Sequence, residues 1–124
     1  MKSDKPFSIQ ARLKSFVYAF EGIKAFFKYE PQALIHVIAT SVVILASFYF
    51  KISANEWLAI IFAIGIVVIS EMLNTAIEKL TDMVSPEINP KAKVVKDIAA
   101  GAVLMASMVA AVIGLIIILP KILN

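Results

Sequence analysis

Three long apolar runs, at residues 33–50, 57–69 and 98–119, leave this chain few ways to fold. The second contains no charged residue, and the third, at about 22 residues, is long enough to cross the hydrocarbon core of a bilayer. In lipid, a chain must satisfy its backbone groups internally, so such runs become membrane helices. The composition agrees: 60% of the residues are hydrophobic, above the half that is ordinary in soluble domains. At 124 residues the chain is too short for two domains, and a single membrane domain over 1–124 is expected. It has no cysteine, which excludes disulfides, thiolate metal sites and cysteine nucleophiles.

The charges track topology. Lys2, Lys5, Arg12, Lys14, Lys24 and Lys28 precede the first run, and Lys79, Lys91, Lys93 and Lys96 lie between the second and third. Only Lys51 and Lys121 fall on the other side. The positive-inside rule then puts the N-terminus and the second connection in the cytoplasm. Basic residues distributed in this way argue against a nucleic-acid partner. Residues 1–6 read as a flexible tail. Over 7–29, Ile9, Leu13, Phe16, Val17, Phe20, Ile23 and Phe27 recur at helical spacing with basic residues on other faces, the pattern of an amphipathic surface helix. Membrane helices are expected over 33–50, 57–83 and 90–119, the last two extending into the cytoplasm. Pro31, Ser85-Pro86 and Asn89-Pro90 punctuate them.

Carboxylates break the apolar pattern at the end of the second run. Glu71, Asn74, Glu78 and Asp82 fall on one stripe of a helix, with Thr75 at its edge. An ionisable group at such a place is a functional-site hypothesis by default. Lys96 and Asp97 open the third run, and Glu30 enters the first from the same side. Carboxylates and an amide favour a hard cation, Mg²⁺ or Mn²⁺, over zinc. Glu71 lies about 10 Å deeper along the axis than Glu78, a less solvated place that suits it to act as a general base while the shallower carboxylate holds a metal. Helix packing or an ion or proton path would use the same stripe, and both readings stay open from the residues alone. His36 is the only histidine and reads as a boundary residue. Ala102, Ala106, Ala110 and Gly114 form a small-residue row suited to close helix packing. No GxxxxGK[ST] or GxGxxG loop is present, which excludes the common soluble nucleotide-binding folds.

Glu71-Met-Leu-Asn74-Thr-Ala-Ile-Glu78-x-x-x-Asp82 resembles the E-x-x-N-[ST]-A-[IL]-E-x-x-x-D pattern of the small prokaryotic diacylglycerol and undecaprenol kinases. Ala92-Lys93-Val94-Val95-Lys96-Asp97 and the following Ile98-Ala-Ala-Gly-Ala-Val resemble a second motif of that family, and Tyr18-Ala-Phe-Glu-Gly22 a third. The resemblance implies an all-α integral membrane fold: an interfacial helix plus three transmembrane helices, assembled as a homotrimer with active sites shared between subunits. It implies phosphoryl transfer from Mg·ATP to a lipid alcohol in the bacterial inner membrane, with the site on the cytoplasmic side. Glu71 resembles the catalytic base, and Glu30 and Glu78 the metal ligands. Tyr18, Glu30, Glu78, Glu87, Asn89, Lys96 and Asp97 take positions resembling ATP contacts, with Asn74, Asp82, Lys14 and Arg12 in supporting or substrate-binding ones. Departures are Gln32 and Leu34, where undecaprenol kinases have Asn and Arg, and Ala11, where the diacylglycerol branch has Arg.

Asp82-Met-Val-Ser85-Pro86, Ala99-Ala-Gly-Ala-Val and Ile35-His36 look more like the undecaprenol branch. Undecaprenol is thus the expected acceptor, with diacylglycerol the alternative and a small oligomeric ion or proton channel the non-enzymatic one.

Overall fold

A computed structural model describes residues 6–124, which form four α-helices and no strand. The tail expected over 1–6, with Lys2 and Lys5, lies outside the described residues except for Pro6. The chain divides into two compact units, Met1–Ile38 and Ala39–Asn124.

In the first unit, α1 covers Ile9–Tyr29. Ser8 caps it, its hydroxyl accepting a hydrogen bond from the Ala11 amide at 3.4 Å. The helix stops at Glu30, whose backbone is extended (φ −98°, ψ 119°), because Pro31 disfavours helical geometry in the residue before it. The apolar stripe read from the sequence is exposed from Ile9 to Phe27, and the buried side chain of α1 is Phe26, off that stripe. Pro31 opens α2 (Pro31–Tyr49), at a first-turn position where its missing N–H costs nothing.

The second unit holds the rest of α2, then α3 (Ala54–Val84) and α4 (Pro90–Leu123), with α3 and α4 packed side by side. The α2–α3 turn is closely specified. Lys51 adopts a left-handed conformation (φ 53°), the Lys51 amide donates to Phe48 O, and the Ile52 amide to Ser47 O. That is a complete Schellman C-cap, built on lysine where glycine is usual. Two residues later Ser53 and Glu56 form a capping box, so α3 begins at Ala54 rather than at Trp57.

Ile52, Ile60 and Ile117 form a buried cluster at this end, with Val43, Trp57 and Ile113 packed on it. The Phe48 and Trp57 rings lie 4.9 Å apart. Lys121 reaches Glu56 at 3.4 Å, tying the end of α4 to the start of α3. Ala63 on α3 and Ala99 and Ala106 on α4 are buried, whereas Ala102 of the small-residue row is exposed.

At the other end, Ser85 before Pro86 terminates α3, its amide donating to Thr81 O at 2.8 Å. Asn89 caps α4 by accepting from the Lys91 amide at 2.9 Å, with Pro90 in the first turn. The last helix continues through Pro120 to Leu123, beyond the expected stop at 119. Three helices, Pro31–Tyr49, Ala54–Val84 and Pro90–Leu123, are long and apolar enough to cross a membrane. At 1.5 Å per residue, α3 extends about 46 Å, well over the roughly 30 Å of hydrocarbon.

Candidate active site

The polar stripe of α3 is graded in exposure. Glu71 is buried, at 9% relative exposure, and with Ser47 is one of two buried polar residues among those described. Asn74 and Thr75 are half-buried one turn further on, and Glu78 and Asp82 are exposed. Helical periodicity puts these residues on one face, since residues three and four apart stack, and position along that face grades their exposure. The sequence thus delivers a ladder from a desolvated carboxylate to solvated ones.

Local bonds organise the ladder. Asn74 Nδ2 donates to Glu78 Oε1 at 3.1 Å, which fixes the amide's orientation and leaves its carbonyl oxygen turned inward. That oxygen, Asn74 Oδ1, is buried and has no hydrogen-bond partner among the described residues. An unsatisfied buried acceptor is costly, so this position suits a donor or cation supplied by a ligand. Ser70 and Thr81 turn their hydroxyls back onto the Val67 and Ile77 carbonyls, at 2.8 and 2.7 Å, so neither competes for that role.

From α4, the Lys96 ammonium donates to Asp82 Oδ1, an ion pair that bridges the two helices. Lys93 pairs with Asp97 along α4 itself. Lys93 belongs to the second family motif but carries no expected site role, although its four-residue spacing from Asp97 is the signal that finds such pairs. Glu87 and Asn89 lie exposed in the α3–α4 connection. Asn89 spends its side-chain oxygen on the α4 cap, and the Glu87 carbonyl accepts from Ser85 Oγ at 3.3 Å.

The remaining expected site residues belong to the first unit. Tyr18, Arg12 and Lys14 are exposed on α1, and the Arg12 guanidinium lies 5.2 Å from the Phe7 ring centroid. Glu30 is half-buried at the α1–α2 junction. Among the described residues no three acidic or histidine side chains converge as a ready-made metal cage. Magnesium does not require one. It is usually held by one or two carboxylates, with water and substrate phosphates completing the shell. Glu78 and the orphaned Asn74 Oδ1 on one helix face are oxygen donors of the type this ion takes, so the residues present fit it.

The family model for prokaryotic diacylglycerol kinase matches residues 17–118. An undecaprenol kinase of Bacillus subtilis (strain 168) is 40% identical over 108 residues, 87% of this chain and 88% of the relative. A diacylglycerol kinase of Synechocystis sp. is 34% identical over 113 residues, covering 90% of this chain and 65% of that protein. One from Helicobacter pylori (strain 26695) is 32% identical over 93 residues, 74% of this chain and 72% of the relative.

Proposed function

This chain belongs to the prokaryotic diacylglycerol kinase family, and from that premise we propose that it moves the γ-phosphoryl group of ATP to the hydroxyl of a membrane lipid alcohol. Undecaprenol is the acceptor that the 40% identical relative's name favours, yielding undecaprenyl phosphate. The observation that carries the proposal is the graded stripe of α3, with one buried carboxylate and its polar neighbours stepping out into solvent. Diacylglycerol stands second, on the names of the 34% and 32% identical relatives.

The chemistry is mainly one of positioning and charge neutralisation. The lipid oxygen forms a bond to the γ-phosphorus, the bond from that phosphorus to the β–γ bridging oxygen breaks, and ADP leaves. Glu71 accepts the hydroxyl proton, and its place two turns inside the exposed carboxylates suits an acceptor group that cannot leave the membrane. Lys96 meets the polyphosphate, Asn74 holds Glu78 in place, and Asp97, Tyr18, Glu87 and Asn89 line the nucleotide's approach. Arg12 and Lys14 face the lipid headgroup region. Glu78 and Glu30 would hold Mg²⁺, which when bound neutralises phosphate charge and orients the transferred group.

The same reading makes residues 1–124 a single lipid-kinase domain of the bacterial inner membrane. Its N-terminus and site face the cytoplasm, α1 lies in the interface, and three copies share their active sites. The large exposed apolar side chains of α1 to α4 support burial in lipid and against other copies.

The test is γ-phosphate transfer by purified protein in mixed micelles, with undecaprenol and diacylglycerol offered side by side. Glu71→Gln should reduce turnover by roughly 10²–10⁴-fold while the protein stays folded. Preference for diacylglycerol would replace the acceptor and keep the mechanism. No transfer to either lipid would sink the kinase reading and bring proton or ion conductance in liposomes forward.

A further inference from the structure

The two ends of the α3–α4 pair are held very differently. At the α2–α3 turn the Schellman cap, the capping box, the isoleucine cluster and the Glu56–Lys121 pair reinforce one another. At the opposite end the helices are bridged by Lys96 and Asp82, whose side chains are 39% and 62% exposed. An ion pair so open to water contributes little to stability and is easily exchanged. A polyphosphate offers the same ammonium several charged oxygens, so it can contest the single carboxylate for the charge-assisted hydrogen bonds of Lys96.

We propose that Asp82 is an affinity-setting residue that competes with the nucleotide's polyphosphate for Lys96. The Asp82 carboxylate occupies the Lys96 ammonium, and nucleotide binding requires Lys96 to change partner. Lys93 supports the arrangement by holding the Asp97 carboxylate on α4's own surface. Asp82 neither touches the reacting atoms nor carries a proton; it acts through Lys96 alone. The inference rests on the reading that Lys96 meets polyphosphate, and it adds a built-in competitor to that site.

A four-protein cycle tests it: the native chain, Asp82→Asn, Lys96→Met and the double variant, each titrated with Mg·ATP by calorimetry in detergent. Asp82→Asn should bind Mg·ATP about two- to fivefold more tightly, the range set by a solvated ion pair. Asp82→Glu, which keeps a carboxylate, should return to the native affinity. In the Lys96→Met background the Asp82→Asn change should have no effect, because there is no ammonium left to contest. Unchanged or weaker binding by Asp82→Asn overturns the proposal. So does equal tightening in both backgrounds, which would mean general relief of negative charge. If Lys96→Met binds too weakly to titrate, the Asp82→Asn and Asp82→Glu comparison at low and high salt decides. A gain that Asp82→Glu does not reverse, or that survives high salt, overturns the proposal. Failure of the native protein to phosphorylate any lipid would instead refute the kinase reading, an outcome distinct from each of these.

Discussion

Lys51 carries backbone strain that nothing in its residue type announces. A side chain with a Cβ at φ 53° crowds its own carbonyl, and left-handed geometry costs such residues about 1–2 kcal/mol. Lys51→Gly should therefore stabilise the protein by about 1 kcal/mol, read as a higher midpoint in thermal or denaturant unfolding in detergent. A lower midpoint would mean that the lysine's charge at this end matters more than its geometry. The position was not legible in the sequence, since neither Gly nor Asn marks it. Glu71 is the opposite case. A carboxylate closing a charge-free run stands out from composition alone, and the structure buries it. What the sequence could not give was Lys96's contact with Asp82, because periodicity relates residues within one helix and this pair joins two.

At the scale of elements, helix ends are decided by caps more than by hydropathy. Hydropathy placed the start of α3 at Trp57, the first residue of the apolar run, but Ser53 and Glu56 satisfy the free amides of the first turn and bring it back to Ala54. The S-x-x-E signature was present to be read, and outranks the apolar boundary because unsatisfied amides cost more than one polar turn. The stops at Glu30 and Ser85 were legible for the same kind of reason, each being the residue before a proline. Ser53→Ala should cost about 1 kcal/mol of unfolding free energy. Glu56→Gln keeps an oxygen for the Ser53 amide and removes only the charge facing Lys121, so its cost should stay within about 0.5 kcal/mol. Equal losses for the two variants would show that the Glu56 charge fastens this end as firmly as the Ser53 hydroxyl does.

For the whole molecule, one chain leaves a large apolar surface uncovered. Phe62, Leu45 and Phe16 are 75%, 68% and 64% exposed, and lipid or other copies must cover such faces. The three spans were legible because every backbone group in lipid forces a helix. Assembly is an expectation that comes from the family motifs and not from the apolar pattern, because a lipid-facing surface and a helix-facing surface are both apolar. Glu30 belongs to one compact unit and Glu71 to the other, and the proposed sharing of active sites between subunits would let each come from a different copy. Glu30→Gln and Glu71→Gln chains should each be inactive alone. Mixed through denaturation and joint refolding into micelles, they should regain transfer if sites are shared as proposed, because an oligomer containing both can assemble one site with native Glu30 from one copy and native Glu71 from another. Mixed oligomers, identified by pulling down one tagged variant with the other, that still show no transfer would mean each chain carries its own complete site.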